Sequence, residues 1–201
     1  MVHIEDALIQ RDQSDNAIAE RVVLLDETGQ AIGTALKSVV HDTDTALHLA
    51  FSCYVFNDAG EILVTRRSLG KRAWPGVWTN AFCGHPLPEE SMTDAIARRG
   101  SFELGLTLTA VTLALPDFRY RATDASGIVE NEICPVYIAT TQVHPVLNPD
   151  EAAEFAWTSP AALRRAVTDA PWAFSPWLAL QLAGLHSAGQ LANPELEAER
   201  A

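Results

Sequence analysis

Short apolar runs, cut by glycine, proline and asparagine, dominate the middle of this chain and predict strands. Arg21-Val-Val-Leu-Leu-Asp-Glu-Thr-Gly-Gln30 reads as a strand and then a turn at Thr28-Gly29. Residues 31–40 read as a second strand arm ending near His41. Leu49-Ala-Phe-Ser-Cys-Tyr-Val-Phe56 is rich in aromatic and branched residues and predicts a strand with His48 at its head. Asn57-Asp-Ala-Gly60 is a hairpin signal, and 61–67 is its return strand. The stretch 70–88 is loop-rich, with Pro75, Gly76, Gly84, Pro86 and Pro88. Met92, Ala95, Ile96 and Phe102 have approximate helical spacing, which predicts a helix over 89–104 ended by Gly105. Strands are predicted over 117–120 and 127–139, and helices over 160–168 and 176–187. Strands in the middle, one central helix and helices near the C-terminus give an α+β class. One domain over 20–186 is expected, with an arm at 1–19 and an acidic tail at 187–201. No internal repeat interrupts this order.

A length of 201 residues suits one domain with a full-sized core. The net charge of −12 argues against a nucleic-acid partner held by general electrostatics. An anionic substrate needs local positive charge, and Arg66, Arg67, Lys71 and Arg72 supply some. The three cysteines, Cys53, Cys83 and Cys134, show no CxxC spacing. That argues against a disulfide framework and a cysteine-rich zinc site, and favours a reducing compartment. The polar N-terminus has no apolar run of the kind a secretory signal needs. No apolar stretch reaches the roughly 18–20 residues that span a bilayer. A cytoplasmic protein with no membrane partner, a monomer or weak dimer, is expected.

Candidate chemistry collects at Thr79-Asn-Ala-Phe-Cys-Gly-His-Pro86. Cys83 and His85 flank a glycine, His48 lies upstream and Glu130-Asn-Glu132 downstream. A thiol, imidazoles and carboxylates are the groups of a metal-assisted proton-transfer site, if they converge. On a strand Glu130 and Glu132 share one side. That side could face solvent or a metal, and the pattern does not choose.

The segment after Cys83 resembles the Nudix signature, G-x5-E-x7-R-E-U-x-E-E-x-G-U. Gly84, Glu90, Arg98, Glu103, Gly105 and Leu106 match it. Arg99 and Phe102 stand where two of its glutamates belong. The full box aligns carboxylates that hold Mg²⁺ ions on a diphosphate. With two missing, hydrolytic metal clustering is compromised and diphosphate binding is kept.

Further segments extend the likeness: His41-x6-His48-Leu-Ala-Phe, Thr65-Arg-Arg67, Lys71-x2-Trp74-Pro-Gly-Val-Trp-Thr-Asn80, Phe118-Arg-Tyr-Arg-Ala122, Gly127-Ile-Val-Glu-Asn-Glu132 and Trp172-Ala-Phe-Ser-Pro-Trp177. Together they resemble the type I isopentenyl-diphosphate Δ-isomerases, over roughly residues 21–180. The resemblance implies a single-domain, Nudix-like α+β fold with mixed or antiparallel sheets packed with helices. It implies a small-molecule diphosphate substrate and isomerisation of isopentenyl to dimethylallyl diphosphate, a step of isoprenoid synthesis. A proton added to C4 and one removed from C2 pass through a tertiary cation. Such a reaction needs an acid, a base and exclusion of water.

By the same resemblance Cys83 and Glu132 transfer the protons, with Tyr120 as the hydroxyl partner of Glu132. His41, His48, His85, Glu130 and Glu132 correspond to metal ligands. Three imidazoles and two carboxylates suit an expanded divalent site, Mn²⁺ or Mg²⁺, although Zn²⁺ is also a match for the imidazoles. Glu103 corresponds to the ligand of a Mg²⁺ that arrives with the diphosphate. Lys37, Arg67, Lys71 and Arg99 correspond to diphosphate-binding cations. Trp177 corresponds to an aromatic that steadies the cation. Cys53 and Cys134 are read as structural, with Cys134 sharing the side of Glu132. The rival reading is a Nudix-type diphosphate hydrolase, which needs the carboxylates that Arg99 and Phe102 replace. A second rival is a binding module without chemistry, which does not account for Cys83 and Glu132.

Overall fold

The computed structural model describes residues 20–191, so the predicted arm at 1–19 and most of the tail lie outside the described residues. In chain order the elements begin with β1 (Arg21–Leu25) and β2 (Ala31–Leu36), an antiparallel pair, then the short helix α1 (Lys37–Val40). Next come β3 (His48–Leu49), β4 (Phe51–Phe56), β5 (Ile62–Arg67), β6 (Trp78–Asn80) and β7 (Phe82–Gly84). The helix α2 (Met92–Leu104) precedes β8 (Thr109–Leu115), β9 (Arg119–Thr123), β10 (Val129–Ile133), β11 (Val136–Thr140) and β12 (Ala152–Thr158). The chain then forms α3 (Pro160–Asp169), a 3₁₀ turn at Pro171–Ala173 and α4 (Pro176–Ser187).

Two sheets result. One has the order β2-β1-β3-β10-β9 and the other β12-β5-β4-β11-β8, with β6 on β5 and β7 on β4. Every residue of β4 is buried, because helices cover both faces of its sheet. Phe51, Cys53 and Val55 pack towards Ala95, Ile96 and Leu104 of α2. Tyr54 and Phe56 pack the other way, among Leu163 of α3 and Leu178, Leu182 and Leu185 of α4. Period-2 alternation in one strand thus builds two cores.

Several expectations are corrected. The strand arm over 31–40 stops at Leu36 and turns into α1. The helix over 89–104 begins at Met92, with the Ser91 hydroxyl accepting from the Asp94 N–H as its cap. Gly105 ends it at φ 63°, a left-handed position suited to glycine. The loop over 70–88 contains β6 and β7. The strands β8 and β12 carry no matching expectation.

The predicted strand over 127–139 is two strands in different sheets. Pro135 has no N–H to continue a ladder, and the chain crosses between sheets at Cys134-Pro135. The run 49–56 crosses beside it at Ala50, whose N–H bonds the Ile133 carbonyl at 3.0 Å. The two crossings run parallel, with Glu132 beside His48 before them and Val136 beside Ser52 after them.

The predicted hairpin is also modified. Asn57 caps the turn, its side-chain oxygen accepting from the N–H groups of Ala59 and Glu61. The β4–β5 ladder pairs Phe56 with Ile62 and then splays. The strands β6 and β7 fill the gap, setting Asn80 opposite Val64 and Cys83 opposite Ser52.

Candidate active site

The site lies where the two sheets part. His41 caps α1, His48 opens β3, His85 follows β7, and Glu130 and Glu132 occupy alternate positions of β10. One ligand atom from each of His41, His48, His85 and Glu132 falls within 4.8 Å of the others. Glu130 stands beside this group, with Oε2 3.0 Å from His41 Nε2. Glu132 Oε1 is 3.4 Å from His48 Nε2 and 3.2 Å from His85 Nε2. Both carboxylates are buried, at 7% and 5% exposure, which excludes a solvated strand face.

The polar atoms here are unusually short of partners. His48 Nδ1 donates to the Ala46 carbonyl at 2.9 Å, which orients the ring with Nε2 towards Glu132. His41 Nε2, His48 Nε2, His85 Nδ1 and Glu130 Oε2 are buried without a hydrogen-bond partner among the described residues. Orphaned buried atoms are rare, and a cluster of them with imidazole and carboxylate chemistry fits a divalent cation.

Burial opposes the charge on Glu132, but His48 and His85 outweigh it and hold the carboxyl well below its ordinary range. Burial and the neighbouring Glu132 charge push Glu130 up. Burial drives His85 down to about 4 against the pull of Glu132.

Cys83 belongs to the other sheet. Its Sγ lies 3.2 Å from Ser52 Oγ and 3.3 Å from Asn80 Oδ1. Burial pushes its thiol up to about 12, against the two hydrogen bonds. Tyr120 of β9 is the cross-strand partner of Glu132, and its ring centroid is 5.8 Å from that of Trp177. Burial and the Glu132 carboxylate push the Tyr120 hydroxyl well above its ordinary range. Trp177 is buried, and its indole N–H donates to Thr79 Oγ1 at 2.9 Å and Asn80 Oδ1 at 3.1 Å, fixing the ring plane.

Cys83, His41, His85, Tyr120, Glu130, Glu132 and Trp177 line a cavity of about 500 Å³, together with Lys37, Arg67, Lys71 and Arg99. His48 and Glu103 are buried and are not among the residues that line it.

The cations already hold oxygen partners. Lys37 pairs with Glu20 at 2.6 Å, and Lys71 pairs with Glu151. Arg99 places two N–H groups on Glu103 Oε1 at 3.0 and 2.7 Å and a third contact on Glu151 at 3.1 Å. Arg67 donates to the carbonyls of Ala73 and Trp74, and its guanidinium carbon stands 5.3 Å from the Trp177 ring centroid. Trp74, at φ 46°, is strained by about 1–2 kcal/mol for a residue with a Cβ, and Arg67 helps to hold it there.

Arg66 is separated from Arg67 by strand alternation and pairs instead with Glu154 at 2.5 Å. Arg72 joins the cavity wall.

The surviving box residues serve the loop. Arg98 grips both oxygens of Glu90 at 2.7 Å and donates to the His85 carbonyl at 3.2 Å. Gly84 allows close approach, since a Cβ there would lie 2.9 Å from Arg99 Cγ and from Phe51 Cζ. Sequence reasoning did not identify Glu20, Glu151, Ser52, Asn80 or Gln181 as neighbours of the site. Asn80 ends the Lys71–Asn80 motif, but the others carried no local signal.

The NUDIX domain profile matches residues 46–178. An isopentenyl-diphosphate Delta-isomerase of Agromyces mediolanus is 62% identical over 181 residues, covering 90% of this chain and 88% of that protein. The chain belongs to the isopentenyl-diphosphate Delta-isomerase family. A second isomerase-family relative, from Clavibacter sepedonicus, is 63% identical over 81% of this chain and 86% of its own. The NUDIX frame extends to solved structures. DR0079 of Deinococcus radiodurans aligns with TM-score 0.62 at 19% identity, over 82% of this chain and 98% of its own. A MutT NUDIX hydrolase of Burkholderia pseudomallei aligns with TM-score 0.53 at 23% identity, over 69% and 98%. These two show the fold alone. The isomerase family membership accords with a box in which Arg99 is buried on Glu103 and Phe102 is 54% exposed.

Proposed function

We propose that the chain interconverts isopentenyl and dimethylallyl diphosphate by protonation and deprotonation through a tertiary carbocation. The observation that carries this reading is one cavity shared by Cys83 from one sheet and Glu132 from the other. A thiol and a carboxylate from different walls can reach different faces of a small alkene. One adds a proton at C4 and the other takes one from C2, so the substrate's protons balance, and the proton gained by the base returns to the acid before the next turnover. Tyr120, opposite Glu132 in the ladder, assists delivery on that side. The Trp177 face steadies the positive charge, as its contact with the Arg67 guanidinium already illustrates. Aromatic walls keep water from the cation.

Lys37, Arg67, Lys71 and Arg99 bind the diphosphate, and Glu20 and Glu151 give way where needed. His41, His48, His85, Glu130 and Glu132 would hold a divalent cation, with Mn²⁺ the first choice and Mg²⁺ or Zn²⁺ the alternatives. Glu103 would hold a Mg²⁺ that enters with the substrate, since both Arg99 bonds fall on Oε1. A bound cation supplies charge stabilisation and fixes the acidity of the carboxylates.

Incubation with isopentenyl diphosphate and Mg²⁺ should yield dimethylallyl diphosphate with no phosphate release. Release of phosphate or pyrophosphate without the allylic product would favour hydrolysis and overturn the reading. No helix among the described residues is long and apolar enough to cross a membrane.

A further inference from the structure

A buried chain of hydrogen bonds runs from the core between β4 and α4 to the Cys83 sulfur. The Tyr54 hydroxyl donates to Gln181 Oε1 at 3.1 Å. Gln181 Nε2 donates to Ser52 Oγ at 2.8 Å. Ser52 Oγ lies 3.2 Å from Cys83 Sγ and 3.4 Å from Cys134 Sγ. Tyr54, Gln181 and Ser52 are all fully buried, at 0% exposure, so these contacts lie out of reach of bulk solvent.

The direction of each bond follows from the donor inventory. A buried phenol must place its one proton on an acceptor, and Gln181 is the partner of Tyr54 among the described residues. That need holds the Gln181 amide with oxygen towards Tyr54 and nitrogen towards Ser52. Ser52 Oγ then accepts a hydrogen bond from the Gln181 amide, and its own O–H is left to donate to sulfur. On the far side of Cys83, Asn80 is also locked. Its Nδ2 donates to the carbonyls of Cys53 at 3.1 Å and Phe82 at 2.7 Å. Its Oδ1 therefore faces Cys83, and the thiol proton goes there at 3.3 Å.

We propose that Ser52, oriented by Gln181 and Tyr54, is a positioning residue that donates to the Cys83 sulfur and fixes the thiol for proton transfer. Cys83 is the favoured acceptor because it is the nearer sulfur and the strand partner of Ser52. When Cys83 gives up its proton, the Ser52 hydroxyl already points at the sulfur that gains charge, and no reorganisation is needed. Tyr54 and Gln181 lie outside the cavity wall and act only through Ser52. This rests on the reading that Cys83 transfers a proton.

The test combines infrared spectroscopy of the S–H stretch with steady-state kinetics on the full chain. Cys83→Ala and Cys134→Ala assign their respective bands. Gln181→Met keeps volume and removes the amide, and Tyr54→Phe removes only the hydroxyl that locks it. Both should shift the Cys83 band and lower kcat, with KM within about twofold of wild type. The fall should reach about tenfold for Gln181→Met, the scale of one hydrogen bond, and be smaller for Tyr54→Phe. Ser52→Ala should match or exceed Gln181→Met. If Ser52→Ala fails to fold, the two milder variants decide the matter. Folded Gln181→Met and Tyr54→Phe proteins with an unchanged Cys83 band and unchanged kcat would overturn the proposal. A shift confined to the Cys134 band would do the same. If the wild type does not isomerise, the functional reading fails, and the Cys83 band alone decides whether Ser52 donates to it.

Discussion

Cys83 and Glu132 differ in what surrounds them, and that difference governs their chemistry. Burial favours the protonated form of the thiol, against the pull of its hydrogen bonds with Ser52 and Asn80. The carboxylate sits among imidazoles, which favour the ionised form. Replacing Cys83 by alanine should lower conversion of isopentenyl diphosphate by at least about a hundredfold, the scale of one acid–base group. Circular dichroism should find the variant folded, and near-normal turnover would remove Cys83 from the reaction. Glu132→Gln should be equally inactive. Cation binding by this variant, followed by calorimetry, separates ligation from proton transfer: a metal-replete but dead protein assigns the loss to catalysis. At this scale the sequence left a question open. The alternation of Glu130 and Glu132 was legible, but whether their side met solvent was not. The answer depends on His41 and His48, which arrive from distant parts of the chain.

The helix α2 and the loop before it form the element that carries the box. Its glycine stop and the spacing of Glu90 and Arg98 were legible in the sequence, whereas the Ser91 cap and the Glu90–Arg98 ion pair came from the structure. Ser91→Ala should cost about 1 kcal/mol of stability in urea titrations while leaving KM unchanged, since Ser91 only caps the helix. Gly84→Ala should do more. The added methyl must move Arg99 or Phe51, so stability should fall by about 1–3 kcal/mol and KM for the diphosphate substrate should rise. A Gly84→Ala protein of wild-type KM would show that Arg99 does not need that approach. The strand over 127–139 illustrates what local reading misses. Pro135 marks a local break in it, but only pairing with β3 on one side and β4 on the other shows that the two halves belong to different sheets.

For the molecule as a whole, acid stability and metal dependence are the sensitive quantities. Burial tends to raise Glu151, but Lys71 and Arg99 overcome it and hold the carboxyl at about 2. The folded value is depressed, so the stabilisation is fully present above about pH 4.5 and is lost as pH falls towards 2. Unfolding titrations across this range should show a steep acid limb that Glu151→Gln flattens. Identical limbs would mean that the Lys71–Glu151–Arg99 group contributes no such linkage. Chelation should abolish isomerisation, and Mn²⁺ or Mg²⁺ should restore it. Either ion should also raise the Tm of the chelated protein, because a ligand of the native state stabilises it. Full activity after chelation would refute the metal assignment.

The sequence by itself determined the α+β class, the strand and helix signals that depend on near neighbours, and the residue types from which an isomerase site could be built. Turn chemistry, a helix-ending glycine and a motif of fixed spacing are local, and local order survives in a one-dimensional reading. Tertiary structure alone decided that two strands change sheets side by side, that Glu130 and Glu132 face inward, and that Glu151 and Gln181 belong near the site. Each of these depends on contacts between residues far apart in the chain. Their energies come from burial and from partners that no short window of sequence contains.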